Sequence, residues 1–285
     1  MSTSMLITSA FVDALADYLQ GAGVDEPEIM APLLPYAGSA HMPAPLLMGQ
    51  LEQLQCRHPV TALGFRIGRC VRPQHFGVVG YLTQYCNSLG EALAHYYRFQ
   101  KLVLSALSLQ VHMEDGILVY RWHNGEDQPS LLTDEFSVAA SVSLYQALIG
   151  QRIPPAFIEL PHPRPADAGL HEALIGCPIR FDSPCLGFAL PTNLLAMRVA
   201  TSDPFLLKLL DEQAAVLLAS AAPDAAGDPF LMASPELAQA SVAWVGYLST
   251  TGVYGDHQGG WVDEATPLTP VSARGAQRVL AESQS

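Results

Sequence analysis

The chain has 285 residues, 49% of them hydrophobic, which is enough for one large or two modest domains with a true core and excludes disorder as its overall state. Its formal charge is −13, and Lys101 and Lys208 are the only lysines among 14 basic residues, so no basic stripe exists to neutralise a nucleic-acid backbone. No apolar run reaches the ~18 residues of a membrane span, and the first residues are too acidic for a secretory signal, so a cytoplasmic protein is expected.

In chain order, Thr8 or Ser9 is placed to cap a helix whose Phe11, Val12, Leu15 and Leu19 share one stripe and which Gly21 ends. A second helix is expected over Leu46 to Leu54, after Pro43 and Pro45. The apolar run from His75 to Leu82 carries two glycines, and Ser88-Leu-Gly-Glu91 then fits a capping box, opening a helix from about Leu89 past Leu104. Its stripe of Leu89, Leu93, Tyr96, Tyr97 and Leu104 reads as core contact.

The alternating segment Leu107 to Met113, the turn Glu114-Asp-Gly116 and the return from Ile117 to Trp122 predict a β-hairpin. A helix over Asp134 to Ile149 follows, then strands at Phe157 to Leu160, Ile179 to Phe181 and Leu186 to Leu190. Asp203-Pro204 combines a cap with proline at the first helical position and opens a last helix through about Ser220. Hairpins separated by helices argue an α+β fold in which helices pack on a small antiparallel sheet.

Five cysteines (Cys56, Cys70, Cys86, Cys177 and Cys185) form no CxxC pair and read as free, mostly buried thiols. The nine histidines show no short metal-ligand spacing, and His162 and His171, flanking a proline-rich stretch, read as loop residues. Neither a metal nor a cofactor is expected.

The stretch His75-Phe-Gly-Val-Val-Gly-Tyr81 with Ser88-Leu-Gly-Glu-Ala-Leu93 resembles the N-terminal, arabinose-binding-type sensing domain of AraC-family transcription regulators. Cys177-Pro-Ile-Arg-Phe181, Phe188-Ala-Leu-Pro191, Leu194-Leu195 and Asp203-Pro204 extend the likeness over about residues 5 to 220. The resemblance implies a small-molecule sensor that dimerises and, in its relatives, controls an attached helix-turn-helix module. No basic recognition helix follows Ser220, so the chain is expected to lack that module, to make no direct nucleic-acid contact, and to act as a homodimer or with an intact relative.

A sensing pocket is expected between the sheet and its helices, mostly apolar, with Tyr81, Tyr85, His112, Tyr120, Arg121 and Trp122 as candidate contacts to a weakly polar or hydrophobic effector. Residues 1–222 form the expected sensing domain and 223–243 a linker. The last segment, 244–285, contains Trp244-Val-Gly-Tyr-Leu248 and Ser249-Thr-Thr-Gly-Val-Tyr-Gly-Asp256. This resembles an internal, incomplete α/β (Rossmann-like) fragment of extended short-chain dehydrogenases and NAD-dependent epimerases.

On that likeness Ser249, Thr250, Thr251 and Tyr254 are remnants of an active-site strand. No G-x-G-x-x-G precedes them to hold a dinucleotide, and Arg274 and Arg278 stand where the family's Tyr-x-x-x-Lys belongs. Arginine stays protonated and cannot exchange a proton near neutrality, so the chain is not expected to be an enzyme. The alternatives are an NAD(P)-dependent epimerase or reductase, and a gene-rearrangement product without selected function.

Overall fold

The computed structural model describes residues 5–105, 108–114, 116–123 and 130–221. In order these form β1 (Leu6–Thr8), α1 (Phe11–Ala22), α2 (Pro27–Met30), β2 (His41–Pro43), α3 (Ala44–Arg57), α4 (Leu63–Gly68), α5 (Gly77–Gln84) and α6 (Leu89–Phe99). Then follow β3 (Ser108–Glu114), β4 (Ile117–His123), α7 (Leu131–Ile149), β5 (Phe157–Glu159), α8 (Ala168–Ile175), β6 (Ile179–Arg180), β7 (Leu186–Pro191) and α9 (Pro204–Ala221). The chain divides into two units after Ala214, inside α9, and the first unit is the one described below.

The organising element is α7, which buries 13 of its 19 residues. A helix apolar on all sides belongs inside a domain, and its ends are closed locally. The Ser130 hydroxyl accepts from the Thr133 N–H at 3.3 Å, and Gly150, at φ 66°, donates back to the carbonyls of Gln146 and Ala147. Helix α4 lies against it with no side chain between the backbones at two points. A Cβ on Gly64 would sit 2.2 Å from the Leu132 carbonyl, and one on Gly68 would sit 2.5 Å from the Ala139 Cβ.

Five strands pair in the order β3-β4-β7-β5-β6, and the expected hairpin is present, with Leu109 opposite Trp122 and Glu114, placed in the turn by the sequence, ending β3 opposite Ile117. All neighbours are antiparallel except β5 and β6, which run parallel because α8 carries the chain back between them. The sheet is therefore mixed. Its two faces follow the alternation of side chains along a strand. One face presents Tyr120, Trp122 and Phe188 to α7, with Phe188 stacked on Tyr120 at 5.2 Å and on Tyr145 at 6.2 Å between ring centres.

The other face carries Val119, Ala189 and Phe157 as a small buried cluster, and beside it a row of Arg121, Gly187 and Glu159. Gly187 leaves a gap across which Arg121 bonds Glu159 at 2.7 and 3.1 Å. A Cβ at Gly187 would meet the Glu159 carboxylate at 3.3 Å and the Tyr120 carbonyl at 2.5 Å.

Several local expectations change. Helix α1 ends at Ala22 and turns at Gly23, whose φ of 66° needs glycine, so Gly21 is an interior residue. Neither Thr8 nor Ser9 caps it, because Thr8 is drawn into β1, where it pairs with His41 of β2, and Ala10 takes the cap position. Ser88 does cap α6, accepting from the Glu91 N–H at 3.2 Å, but Glu91 reaches back to the Asn87 N–H at 2.6 Å instead of that of Ser88. Helix α6 stops at Phe99, so Leu104 lies beyond it and bridges Ile7.

His171 belongs to α8 and is buried, not a loop residue. All five cysteines are free, but only Cys86 and Cys177 are buried, Cys70 and Cys185 are half-buried and Cys56 is exposed, because Cys56 falls on the wet side of α3. Among the described residues no helix is long and apolar enough to cross a membrane. The dehydrogenase-like run, with Ser249, Thr250, Thr251 and Tyr254, lies outside the described residues.

Candidate functional site

Between the sheet and the helices lies a cavity of about 60 Å³. Trp122 of β4 and Leu186 of β7 form one wall, Phe11 of α1 and Tyr96 of α6 another, and Phe136, Ser137, Ala140 and Ser141 of α7 a third. Each element reaches the site by its own apolar periodicity. On α6 the buried positions Leu89, Ala92, Leu93, Tyr96 and Phe99 recur at three- and four-residue steps, which turns Tyr96 inward. Edge-to-face contacts of Phe76 with Phe11 and Tyr96, and of Phe11 with Phe136, fix the rings around the space.

No lining residue is charged. The polar atoms are few: the Ser137 and Ser141 hydroxyls donate to the carbonyls one turn back, at 3.0 and 3.1 Å, and keep their lone pairs as acceptors. Burial pushes the Tyr96 phenol up, holding it protonated, so it can serve as a donor. The chemistry available is therefore hydrogen bonding within an apolar enclosure, with no base, nucleophile or ion pair directed into it.

Of the six residues expected from sequence, the structure brings Trp122 to the cavity wall and sets Tyr120 behind it, buried against Phe188. Arg121 faces the opposite side of the sheet and is occupied by Glu159 and Glu114, since successive strand residues alternate and three in a row cannot line one pocket. His112, on the edge strand β3, is exposed, and Tyr81 is 48% exposed on α5. Tyr85 follows α5 half-buried, and its carbonyl accepts from the Asp203 N–H ahead of α9. Sequence reasoning missed Phe136, Ser137, Ala140 and Ser141, whose i, i+4 spacing on α7 is visible in the chain but indistinguishable there from ordinary core.

Two further polar clusters sit at the start of α7. Asp134 meets His162 at 2.8 Å, and Glu135 contacts His171 of α8. Both carboxyls are pushed up by burial, with the histidines pulling the other way. These pairs fasten the 160–176 segment to α7. Among the described residues no group of three or more His, Cys, Asp or Glu is disposed to hold a metal.

The arabinose-binding domain of AraC transcription regulators, N-terminal, matches residues 15–199, from within α1 to just past β7. The chain belongs to this family. The ornithine utilization regulator of Pseudomonas aeruginosa is 24% identical over 172 residues, covering 59% of this chain and 50% of that protein. The chain thus spans about half the length of that curated relative. The crystal structure of the transcriptional regulator CdpR from Pseudomonas aeruginosa superposes with a TM-score of 0.52 at 17% identity, covering 72% of this chain and 61% of that one, a likeness of fold.

Proposed function

We propose that residues 1–222 are the effector-sensing and dimerisation part of an AraC-type regulator, that 223–243 link them to the 244–285 tail, and that the cavity between sheet and helices receives the effector. The observation that carries the reading is the uncharged lining of that cavity, which favours a weakly polar or hydrophobic molecule. A space of about 60 Å³ is well below the roughly 300–1,000 Å³ of small-molecule sites. An effector therefore binds a widened form in which α6 and α7 move off β4, and that coupling of binding to helix position is what a sensor needs.

The curated relative is named for ornithine utilization. An ornithine ammonium would meet no carboxylate among the lining residues, so this chain takes a different, less charged effector. The chain acts in the cytoplasm, as a homodimer or with an intact regulator, and its charge of −13 supports control of transcription without direct promoter contact.

Thermal unfolding of the full chain, screened against weakly polar metabolites with ornithine and NAD(H) as controls, tests the reading. A ligand selective for the folded state raises the midpoint. The expected result is a shift with an apolar or weakly polar compound that disappears in Ser141→Leu, which fills the cavity. A shift confined to ornithine or NAD(H), or one indifferent to Ser141→Leu, overturns it.

A further inference from the structure

Ten arginines fall among the described residues, and six of them lie within 4.0 Å of a carboxylate: Arg57, Arg72, Arg98, Arg121, Arg164 and Arg180. Arg66, Arg69, Arg152 and Arg198 have no ion-pair partner among the described residues. Three of these four, Arg66, Arg69 and Arg152, line one open groove of about 810 Å³ whose walls contain no Asp or Glu. In a chain of net charge −13, this concentration of unneutralised positive charge is the reverse of what composition alone would scatter over the surface.

We infer that this groove binds a small organic anion bearing carboxylate or phosphate groups, at a site separate from the apolar cavity. Arg66 and Arg69 stand three apart at the end of α4, on one face, and Arg152 enters from the turn after α7. Arg66 spends its Nε–H on the Thr61 carbonyl at 3.0 Å, which leaves both terminal amino groups for a bidentate acceptor. Arg69 donates once, to the Leu174 carbonyl at 3.3 Å. The floor between them is apolar, with Val71, Val142 and Ile175, so the ligand carries its charge on a partly apolar body.

One opposing effect can be weighed. The helices α4, α7 and α8 all end at the groove, and each C-terminus carries about −0.5 of a charge. Three such ends offset about half of the three guanidinium charges, and αL glycines at 150 and 176 already bond some of the terminal carbonyls, so the groove stays positive. Three charges fall well short of the roughly 6–10 phosphate contacts of a DNA-binding surface, and the volume lies in the roughly 300–1,000 Å³ range of small-molecule sites.

The test is calorimetric titration of the full chain with citrate and, separately, with pyrophosphate at low ionic strength. The expected result is saturable one-to-one binding of at least one probe, the tighter one naming the preferred group, with affinity falling as salt is added. Arg66→Gln and Arg152→Gln should each weaken it roughly tenfold or more. Arg198→Gln, at the unpaired arginine outside the groove, should leave it unchanged. Arg152 is exposed and follows a completed helix, so its variant keeps the fold, which circular dichroism verifies. No saturable binding by either probe, or a loss equal in Arg198→Gln, overturns the inference.

Discussion

Glycines in this fold do opposite things according to what surrounds them. Gly68 has the Ala139 side chain and the Phe136 carbonyl where its own Cβ would be, whereas Gly21, inside α1, has nothing within 4 Å. Gly68→Ala should therefore cost about 2 kcal/mol or more, since backbones must separate, while Gly21→Ala should stabilise by about 0.5–1 kcal/mol through helix propensity. Urea unfolding of the two variants beside the parent measures both; equal signs would refute the packing account. The cysteines divide in a similar way. Burial pushes the Cys86 and Cys177 thiols up to about 12, so neither forms the nucleophilic thiolate at neutral pH. Iodoacetamide should modify exposed Cys56 first and reach Cys86 and Cys177 only on unfolding, as peptide mass spectrometry would show. Sequence could identify Trp122 as amphipathic and strand-borne, and it does reach the cavity. The same strand reading should have excluded Arg121, since alternation sends it to the far face and Gly187 opens its path to Glu159.

At the scale of elements, the legible features are those encoded within a few residues. Ser88 ahead of Glu91 and Asp203 ahead of Pro204 both mark true helix starts; the Asp203 carboxylate accepts from the Phe205 and Leu206 N–H groups at 3.0 and 3.1 Å. The hairpin was equally local. Strands β1 and β2 were not legible, because three residues paired with three others more than 30 positions away leave no periodic trace. Helix α8 was hidden by the prolines before it, and with it the role of His171. The pairing of α7 with His162 and His171 makes a pH prediction. Burial raises Asp134 and Glu135 above the ordinary carboxylate value, so the folded state holds protons that the unfolded chain releases. Their contribution to stability is complete below about pH 4 and declines as pH rises toward neutrality. Thermal midpoints at stepped pH should show a decline across that interval that is shallower in Asp134→Asn; a parent no steeper than the variant would mean the histidine offsets the burial.

For the whole molecule, charge sets the expectation. At −13 the 285-residue chain repels a phosphate backbone over a Debye length of about 8 Å at physiological salt, and the groove arginines are too few to reverse that. Fluorescence anisotropy with a random-sequence duplex should show no saturable binding at 150 mM salt, a value typical of physiological ionic strength at about 0.15 M; micromolar binding would refute this. The α+β class and the family could both be read from the chain, whereas the cavity and the groove could not, since each assembles side chains from elements distant in sequence. These two spaces share one partition. Helix α7 turns Phe136, Ser137, Ala140 and Ser141 toward the cavity and Val142, Ser143, Gln146 and Ala147 toward the groove. Because α7 walls both, an occupant that displaces it in one space alters the other. Whatever factor one guest imposes on the second guest's affinity, the second must return in equal measure.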